Sequence, residues 1–257
     1  MEIGGEKRAV SIRLLESGER IRAACDLINN RYAWRGYGSD HRIPVDAYHM
    51  TFTAEVDGKI IGTITLAVDS AHGLAADTIF KDEIDGLRAL PGREVCELTR
   101  FAFDPGVRSR ELMAALFHIV FVYGHRTHGC TDLVIEVSPR HARFYEAMLG
   151  FRRVGVVKMK EEVATRAQLM WLEVATIRER IDQLAGRRDH AGSRSLYPFF
   201  LSPDEESGIY RRLSRAAPEI IARPWETSAR QEMELTDFIE MLSTTSASAR
   251  LAGSRTI

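Results

Sequence analysis

The residues with most to offer chemistry stand in the run Glu94-Val95-Cys96-Glu97-Leu98-Thr99-Arg100-Phe101-Ala102-Phe103. Its apolar character predicts a strand, and the Asp104-Pro105-Gly106 turn leads on to a helical pattern past Arg108. A strand feeding a helix N-terminus leaves free backbone amides at the junction. Such amides hold a phosphate or a developing oxyanion, and Arg108 and Arg110 stand beside them. Strict alternation puts Glu97, Thr99 and Phe101 on one face of the strand and Arg100 on the other. From the residues alone, Glu97 and Arg100 are either an ion pair that closes the strand or a reactive pair. A second run, from Ser138-Pro139-Arg140-His141 through Arg143, Phe144 and Tyr145 to Gly150-Phe151, follows the next strand. His141, on the first turn of its helix, reads either as a surface histidine or as a site group. The eight histidines fall in no HExxH or similar spacing, so no metal site is expected. Cys25, Cys96 and Cys130 form no CxxC pattern and are expected as buried thiols.

The elements that must position these runs follow from periodicity. Residues 10–15 predict a strand, and Ser17 is the expected N-cap of a helix carrying Ile21, Ala24, Cys25 and Ile28 on one stripe and ending near Tyr32. Residues 50–56 and 59–68 predict a hairpin around Asp57-Gly58. A helix over 77–90 is broken by Pro91-Gly92, and residues 94–103 form the next strand. Leu112, Ala115, Leu116, Ile119, Val120 and Tyr123 recur at helical spacing over 109–128, and Gly129 stops that helix. A strand over 131–137, a helix over 139–149 capped by Gly150, and strands over 153–157 and 168–174 complete the pattern.

Strands alternating with helices imply an α/β domain with a mixed sheet covered on both faces, over residues 1–185. Residues 186–257 change character: 186–195 resembles a linker, two short amphipathic helices are expected at 204–215 and 229–242, and 243–257 is expected to fray. This extension reads as a helical appendage on the domain or on a partner. The 257 residues carry 35 basic and 36 acidic groups, a net charge of -1 that argues against general nucleic-acid binding. Only five lysines stand among those basic groups, and the dominance of arginine fits either planar recognition of carboxylate or phosphate or, as the better-favoured reading, a codon bias. No apolar stretch approaches the roughly 18 residues a membrane helix needs. With no signal-like start, a cytoplasmic location is expected.

Tyr145-Glu146-Ala147-Met148-Leu149-Gly150-Phe151 resembles the Tyr-Glu-x-x-Leu-Gly-Phe-like run of the GNAT acyltransferase superfamily, and the resemblance extends over residues 10–175. That superfamily's coenzyme A loop carries Arg/Gln-x-x-Gly-x-Gly/Ala, whereas this chain reads Arg108-Ser109-Arg110-Glu111-Leu112-Met113. A loop without glycine cannot bring its backbone as close to a diphosphate, which counts against free coenzyme A. Glu97-Leu98-Thr99-Arg100-Phe101-Ala102 is similar to the Glu-Leu-Ser-Arg-Phe-Ala signature of acyl-homoserine-lactone synthases, which take their acyl group from acyl carrier protein. The positions of Arg31, Trp34 and Asp46 echo those enzymes loosely. Closer is the N-acyl amino acid synthase family of long-chain N-acyl tyrosine pathways. The shared pattern is an Arg-Tyr segment, an early hairpin, Gly-Leu-x-x-Asp-x-Ile-Phe at 73–80, a Glu-x-x-Arg strand and Pro-Arg-His-x-x-Phe-Tyr.

That resemblance implies an N-acyltransferase moving a long-chain acyl group from acyl carrier protein to the α-amine of an amino acid, with tyrosine a candidate. The donor is the carrier's acyl-phosphopantetheine, with no bound cofactor. The alternatives are an acyl-homoserine-lactone synthase using S-adenosylmethionine and a non-catalytic GNAT-like binding module. The reaction needs a base, two binding sites and an oxyanion partner. Glu97 is the expected base, and Arg100, Arg31 or Arg143 is expected to orient a carbonyl or the acceptor's carboxylate. Trp34 and Tyr37 can cover the acyl chain or stack on an aromatic acceptor. Thr99, Phe101, Phe103, His141 and Tyr145 complete the expected substrate site, a strand bulge, usual in that superfamily, can re-aim one strand residue, and pantetheine is expected as a pseudo-strand beside 101–103 and 136–138. Arg108, Arg110, Arg140, Arg152 and Arg153 form the expected docking patch for the acidic carrier. Leu74, Ile79, Phe80, Phe117 and Phe121 either line an acyl tunnel or fill the core.

Overall fold

The computed structural model describes residues 2–3, 6–7, 9–16, 18–107, 109–187 and 194–216. The chain starts with a short antiparallel ribbon of β1 (Glu2–Ile3) and β2 (Glu6–Lys7), followed by β3 (Ser11–Leu14) and α1 (Gly18–Ala33). The expected N-cap Ser17 lies outside the described residues. The hairpin forms as its turn chemistry requires. Asp57 and Gly58 take φ of 51° and 77°, and β4 (His49–Val56) folds back on β5 (Lys59–Val68). Then come α2 (Asp77–Arg88), β6 (Val95–Phe103), α3 (Arg110–His128), β7 (Asp132–Val137) and α4 (Pro139–Leu149). The domain ends with β8 (Arg152–Lys160), β9 (Thr165–Glu173) and α5 (Val174–Leu184).

The expected mixed α/β sheet is present. Seven strands run in the order β3-β4-β5-β6-β7-β9-β8, antiparallel throughout except between β6 and β7. One large apolar cluster joins Phe52, Ile64, Leu66 and Leu98 of the sheet to α3, α4 and α5. A second gathers Val95, Val134, Leu169 and Trp171 under Phe80, Ile84 and Leu87 of α2, and a smaller one places Ile60 and Ala102 under Ala24 and Ile28 of α1. Of the five residues that were tunnel or core candidates, Leu74, Ile79 and Phe80 belong to the α2 cluster and Phe117 and Phe121 to the α3 cluster.

Caps fix the two helices that follow the site strands. The Ser109 hydroxyl accepts from the Leu112 amide at 3.1 Å, and Gly129 ends α3 with φ 66°. Pro139 opens α4 and Gly150 closes it with φ 85°.

Three features depart from the sequence reading. Helix α5 begins at Val174, where a strand was expected to end, and buries Ile177 and Ile181. Strands β8 and β9 are longer than expected and join through a 3-10 turn at Glu161–Val163. Cys96 and Cys130 are joined in a disulfide rather than standing as thiols, leaving Cys25 free. The pair is 34 positions apart in sequence, and its Cα atoms lie 6.1 Å apart because α3 returns the chain beside the start of β6.

Beyond the domain, a 3-10 turn at Tyr197–Phe199 leads to α6 (Pro203–Ala216). Leu196, Tyr197 and Phe200 are buried in the α3 cluster. The buried Glu206 carboxylate of α6 accepts from His118 Nε2 at 3.0 Å, Arg126 at 2.5 Å and Arg178 at 3.0 Å. The Leu201 amide donates to His118 Nδ1 at 3.0 Å, which leaves Nε2 as the donor to Glu206. The helix expected at 229–242, the fraying expected at 243–257 and most of the linker lie outside the described residues.

Candidate active site

The site is built by two strands that part. Parallel pairing between β6 and β7 runs through Val95 and Asp132, Cys96 and Leu133, and Glu97 and Val134, and goes no further. Beyond Glu97 both strands leave backbone edges facing each other. On its other side β6 carries one extra residue: Thr63 pairs with Ala102 and Thr65 with Thr99, so three steps on β6 match two on β5. Arg100 sits in that bulge with φ 51°, and the Thr63 hydroxyl donates to the Arg100 carbonyl at 2.8 Å. A cleft of about 350 Å³ opens between the parted strands, lined by Leu98, Thr99, Arg100 and Phe101 on one side and by Ile135 to Ser138 on the other. Tyr32, Arg35, Tyr37 and His41 wall it from the end of α1, His141 and Tyr145 from α4, and Lys160 and Arg166 from β8 and β9.

The bulge corrects the alternation read from sequence. Phe101, expected beside Glu97, turns to the α3 side, where its ring lies 5.3 Å from Phe103 and 4.9 Å from Phe117. Arg100 donates from Nε to the Arg42 carbonyl at 2.8 Å and from Nη1 to Thr99 Oγ1 at 2.9 Å. No ion pair with Glu97 is found among the described residues, so closing the strand by such a pair is not what these two residues do. Glu97 instead lies behind the cleft wall, 1% exposed, and accepts from the Ala76 amide just ahead of α2 at 3.3 Å. Burial pushes its carboxyl up to about 7. The Ala76 and Ala75 amides and Lys160 oppose that shift, and the charge of Glu136 adds to it.

Aromatic hydroxyls crowd the far side of the cleft. Tyr32 packs edge-on against Tyr37 at 5.9 Å and His41 at 4.7 Å between ring centres. Burial pushes the Tyr32 phenol up to about 12 against the pull of Arg100 and Arg35, and it pushes Tyr145 up as well. Both phenols are therefore neutral donors at ordinary pH. His141 is pushed down by burial, then by Arg140 and Arg35, and so stays neutral. Glu136 is held by Lys160 at 2.9 and 3.0 Å.

Of the residues singled out from sequence, Thr99, Arg100, Phe101, His141 and Tyr145 meet in the cleft, with Glu97 behind it and Phe103 packed on Phe101. Others lie elsewhere. Arg31 stacks under Trp34 at 5.2 Å, and that indole is 76% exposed. Arg143, Arg140 and Arg152 are exposed, and Arg153 donates to Glu146 at 2.7 Å. Arg110 donates to the Ser195 carbonyl at 2.9 Å and lies 4.6 Å over the Phe199 ring, so the segment after the linker occupies it. Arg108 lies outside the described residues. Sequence reasoning missed Tyr32, Arg35, His41 and Lys160. A usable signal was Arg35-Gly36-Tyr37-Gly38, where two glycines with φ of 80° and 85° flank Tyr37 in the turn after α1. Among the described residues no group of three or more His, Cys, Asp or Glu can hold a metal ion. None of the described helices is long and apolar enough to cross a membrane.

The family model of N-acyl amino acid synthase FeeM matches residues 23–173. Among solved structures, the chain is similar to FeeM, an N-acyl amino acid synthase from uncultured soil microbes. The identity is 26%, covering 67% of this chain and 96% of that one, with a TM-score of 0.58. It also resembles the AHL synthase LasI, at 14% identity over 65% of this chain and 91% of that one, TM-score 0.48. A third likeness is to an acyl-CoA N-acyltransferase from Pseudomonas aeruginosa, at 13% identity over 64% and 99%, TM-score 0.45. No curated protein sequence matches the chain.

Proposed function

The chain belongs to the N-acyl amino acid synthase family and is an N-acyltransferase of GNAT-like fold; from that premise we propose that it moves a long-chain acyl group from acyl carrier protein to the α-amine of an amino acid. The observation that carries this reading is the end of β6–β7 pairing at Glu97 and Val134, directly beside a buried carboxyl poised at about 7. The two free edges suit the amides of a pantetheine arm laid between them as a pseudo-strand. Phe101, Phe103 and Phe117 offer the thioester's acyl chain an apolar wall on the α3 side. The aromatic wall of Tyr32, Tyr37 and His41 suits an aromatic acceptor such as tyrosine.

The chemistry then balances as follows. The acceptor's ammonium loses a proton, through an intervening water, to the Glu97 carboxylate. The freed amine attacks the thioester carbonyl and a C–N bond forms; as the C–S bond breaks, the nitrogen's second proton passes to the departing sulfur and pantetheine leaves as the thiol. A thiol of pKa about 8.5 needs little help to leave, and the neutral Tyr145 phenol can donate a hydrogen bond to it. A general base works best when its pKa lies near the working pH, which is where burial puts Glu97. Exposed Arg140 and Arg152, near the start and just past the end of α4, form the proposed docking patch for the acidic carrier. The loop after β6 has no paired glycines for a diphosphate, which favours the carrier over coenzyme A.

The test is mass spectrometry of reactions in which the purified protein meets palmitoyl-acyl carrier protein or palmitoyl-coenzyme A and the twenty proteinogenic amino acids. N-palmitoyl amino acids formed faster from the carrier, and lost in Glu97→Gln, are expected. Faster turnover of palmitoyl-coenzyme A refutes the donor assignment. Acyl-homoserine lactone formed from S-adenosylmethionine, in place of N-acyl amino acids, refutes the acceptor assignment.

A further inference from the structure

We propose that Arg35 and Tyr37 together receive the acceptor's α-carboxylate, an inference that rests on the amino acid reading above. Both side chains line the cleft on the α1 side, facing Tyr145 and His141 of α4. The Tyr37 hydroxyl is buried and has no hydrogen-bond partner among the described residues. Buried donors are rarely left that way, because each costs free energy until a partner arrives. The Arg35 side chain, in contrast to its backbone amide, makes no hydrogen bond or ion pair among the described residues. Its field nevertheless reaches Tyr32 at the end of α1 and both Tyr145 and His141 across the cleft. Two other cations of the cleft are already engaged, Lys160 by Glu136 and Arg100 by the Arg42 carbonyl and Thr99. A third, Arg166, is exposed on the opposite rim. A guanidinium fork matches a carboxylate in two parallel hydrogen bonds, and a phenol adds a third.

The turn holding this pair is built to stay in place. The Arg35 and Tyr37 amides both donate to the Tyr32 carbonyl at 3.0 Å. His41 Nε2 bonds the Tyr37 carbonyl at 2.8 Å, and the Asn29 side chain grips the His41 backbone from both sides, at 2.7 and 3.1 Å. A receptor ordered before its ligand arrives loses less entropy on binding. The carboxylate would thus anchor one end of the acceptor at the α1 turn and leave its amine free to face the parted strands.

The experiment compares each amino acid that the wild-type protein acylates with its carboxamide, which keeps the amine and side chain and removes the charge. Arg35→Gln is expected to raise KM for the amino acid on the order of 10- to 100-fold, the range of a lost charge-assisted hydrogen bond, and to lower the amide's kcat/KM by no more than about fivefold, the range of a single uncharged acceptor. Tyr37→Phe, which removes a single oxygen, is expected to raise the same KM about fivefold and to cost the amide less, because a neutral carbonyl accepts from the phenol more weakly than a carboxylate does. In the wild type the amide is the poorer substrate, and that preference should vanish in Arg35→Gln. Equal losses on acid and amide, or no change in KM for the acid, overturn the assignment while the amino acid reading stands. If the wild type acylates simple amines but no amino acid, both fall together.

Discussion

Replacing Glu97 by glutamine should make the protein more stable above neutral pH while abolishing its turnover. The carboxyl is 1% exposed, accepts from the Ala76 amide at 3.3 Å, and is pushed from an ordinary 4.5 to about 7. Its folded-state pKa lies above the unfolded value, so the folded protein binds the proton more tightly. The stability from that proton is full below about pH 4.5 and drains away as pH rises through about 7. The span, converted at about 1.4 kcal/mol for each pH unit, amounts to roughly 3 kcal/mol. A glutamine carries no charge to desolvate and can still accept from the Ala76 amide. The difference in unfolding free energy, Glu97→Gln less wild type, should therefore climb between pH 5 and pH 7 and level off near roughly 3 kcal/mol at pH 8. Urea unfolding followed by circular dichroism at pH 5, 6, 7 and 8 measures it, and the subtraction cancels every other titrating group. Two parallel stability curves would show that Glu97 does not carry a raised pKa, and the base assignment would lose its physical footing.

Thr63→Val leaves the Arg100 carbonyl unpartnered inside the bulge; we expect a loss of about 1–2 kcal/mol in unfolding experiments and a larger fall in kcat than in acceptor affinity. Glu206 is held well below the usual carboxylate range by His118 and Arg178, against the cost of its burial, so its contribution is present above about pH 4.5 and lost as pH falls toward about 2. Proteolysis of the segment after α5 should accordingly quicken in acid. Glu206→Gln should show the same rapid cleavage at pH 7, with about 1.5–3 kcal/mol of stability lost. Reversing the charge of Arg140 and Arg152 should raise KM for acyl carrier protein roughly tenfold at low salt and leave turnover of acyl-pantetheine unchanged, measured by product mass spectrometry. Equal effects on both donors would remove those residues from the docking surface.

Local chemistry announced most of the elements and only part of the site. Asp57-Gly58 specifies a hairpin because both residues accept positive φ, and Ser109, Pro139, Gly129 and Gly150 mark helix ends for equally local reasons. The cleft depends on events with no local signature. The point where β6 and β7 stop pairing, at Glu97 and Val134, is a relation between residues far apart in sequence. The disulfide joins positions that only the parallel crossover brings together. Arg35 was invisible for another reason: just past a polar helix an arginine is commonplace, and only the folded chain brings this one to the cleft. Arg31, four positions earlier, has the same composition and stacks outside on Trp34.

The bulge at Arg100 ties these parts together. In an unbroken strand Thr99 and Phe101 would share a face with Glu97, and the base would look out on an aromatic ring. One inserted residue reverses the alternation. Phe101 goes to the α3 side with Phe103 and Phe117, and the Arg100 side chain goes to the Arg42 carbonyl and Thr99 Oγ1. Neighbouring residues of one strand thereby serve two sides of the proposed reaction, Phe101 in the acyl wall and Arg100 in the cleft lined by Tyr32, Tyr37 and His41. The strain of a left-handed arginine, about 1–2 kcal/mol, is the cost of that separation. Arg100→Gly should remove the strain and keep the bulge, so its stability should match or exceed that of the wild type. Its turnover should fall steeply with the guanidinium gone. A glycine variant that is both less stable and fully active would mean that Arg100 serves the fold and that the bulge, rather than the side chain it carries, is what the chemistry needs.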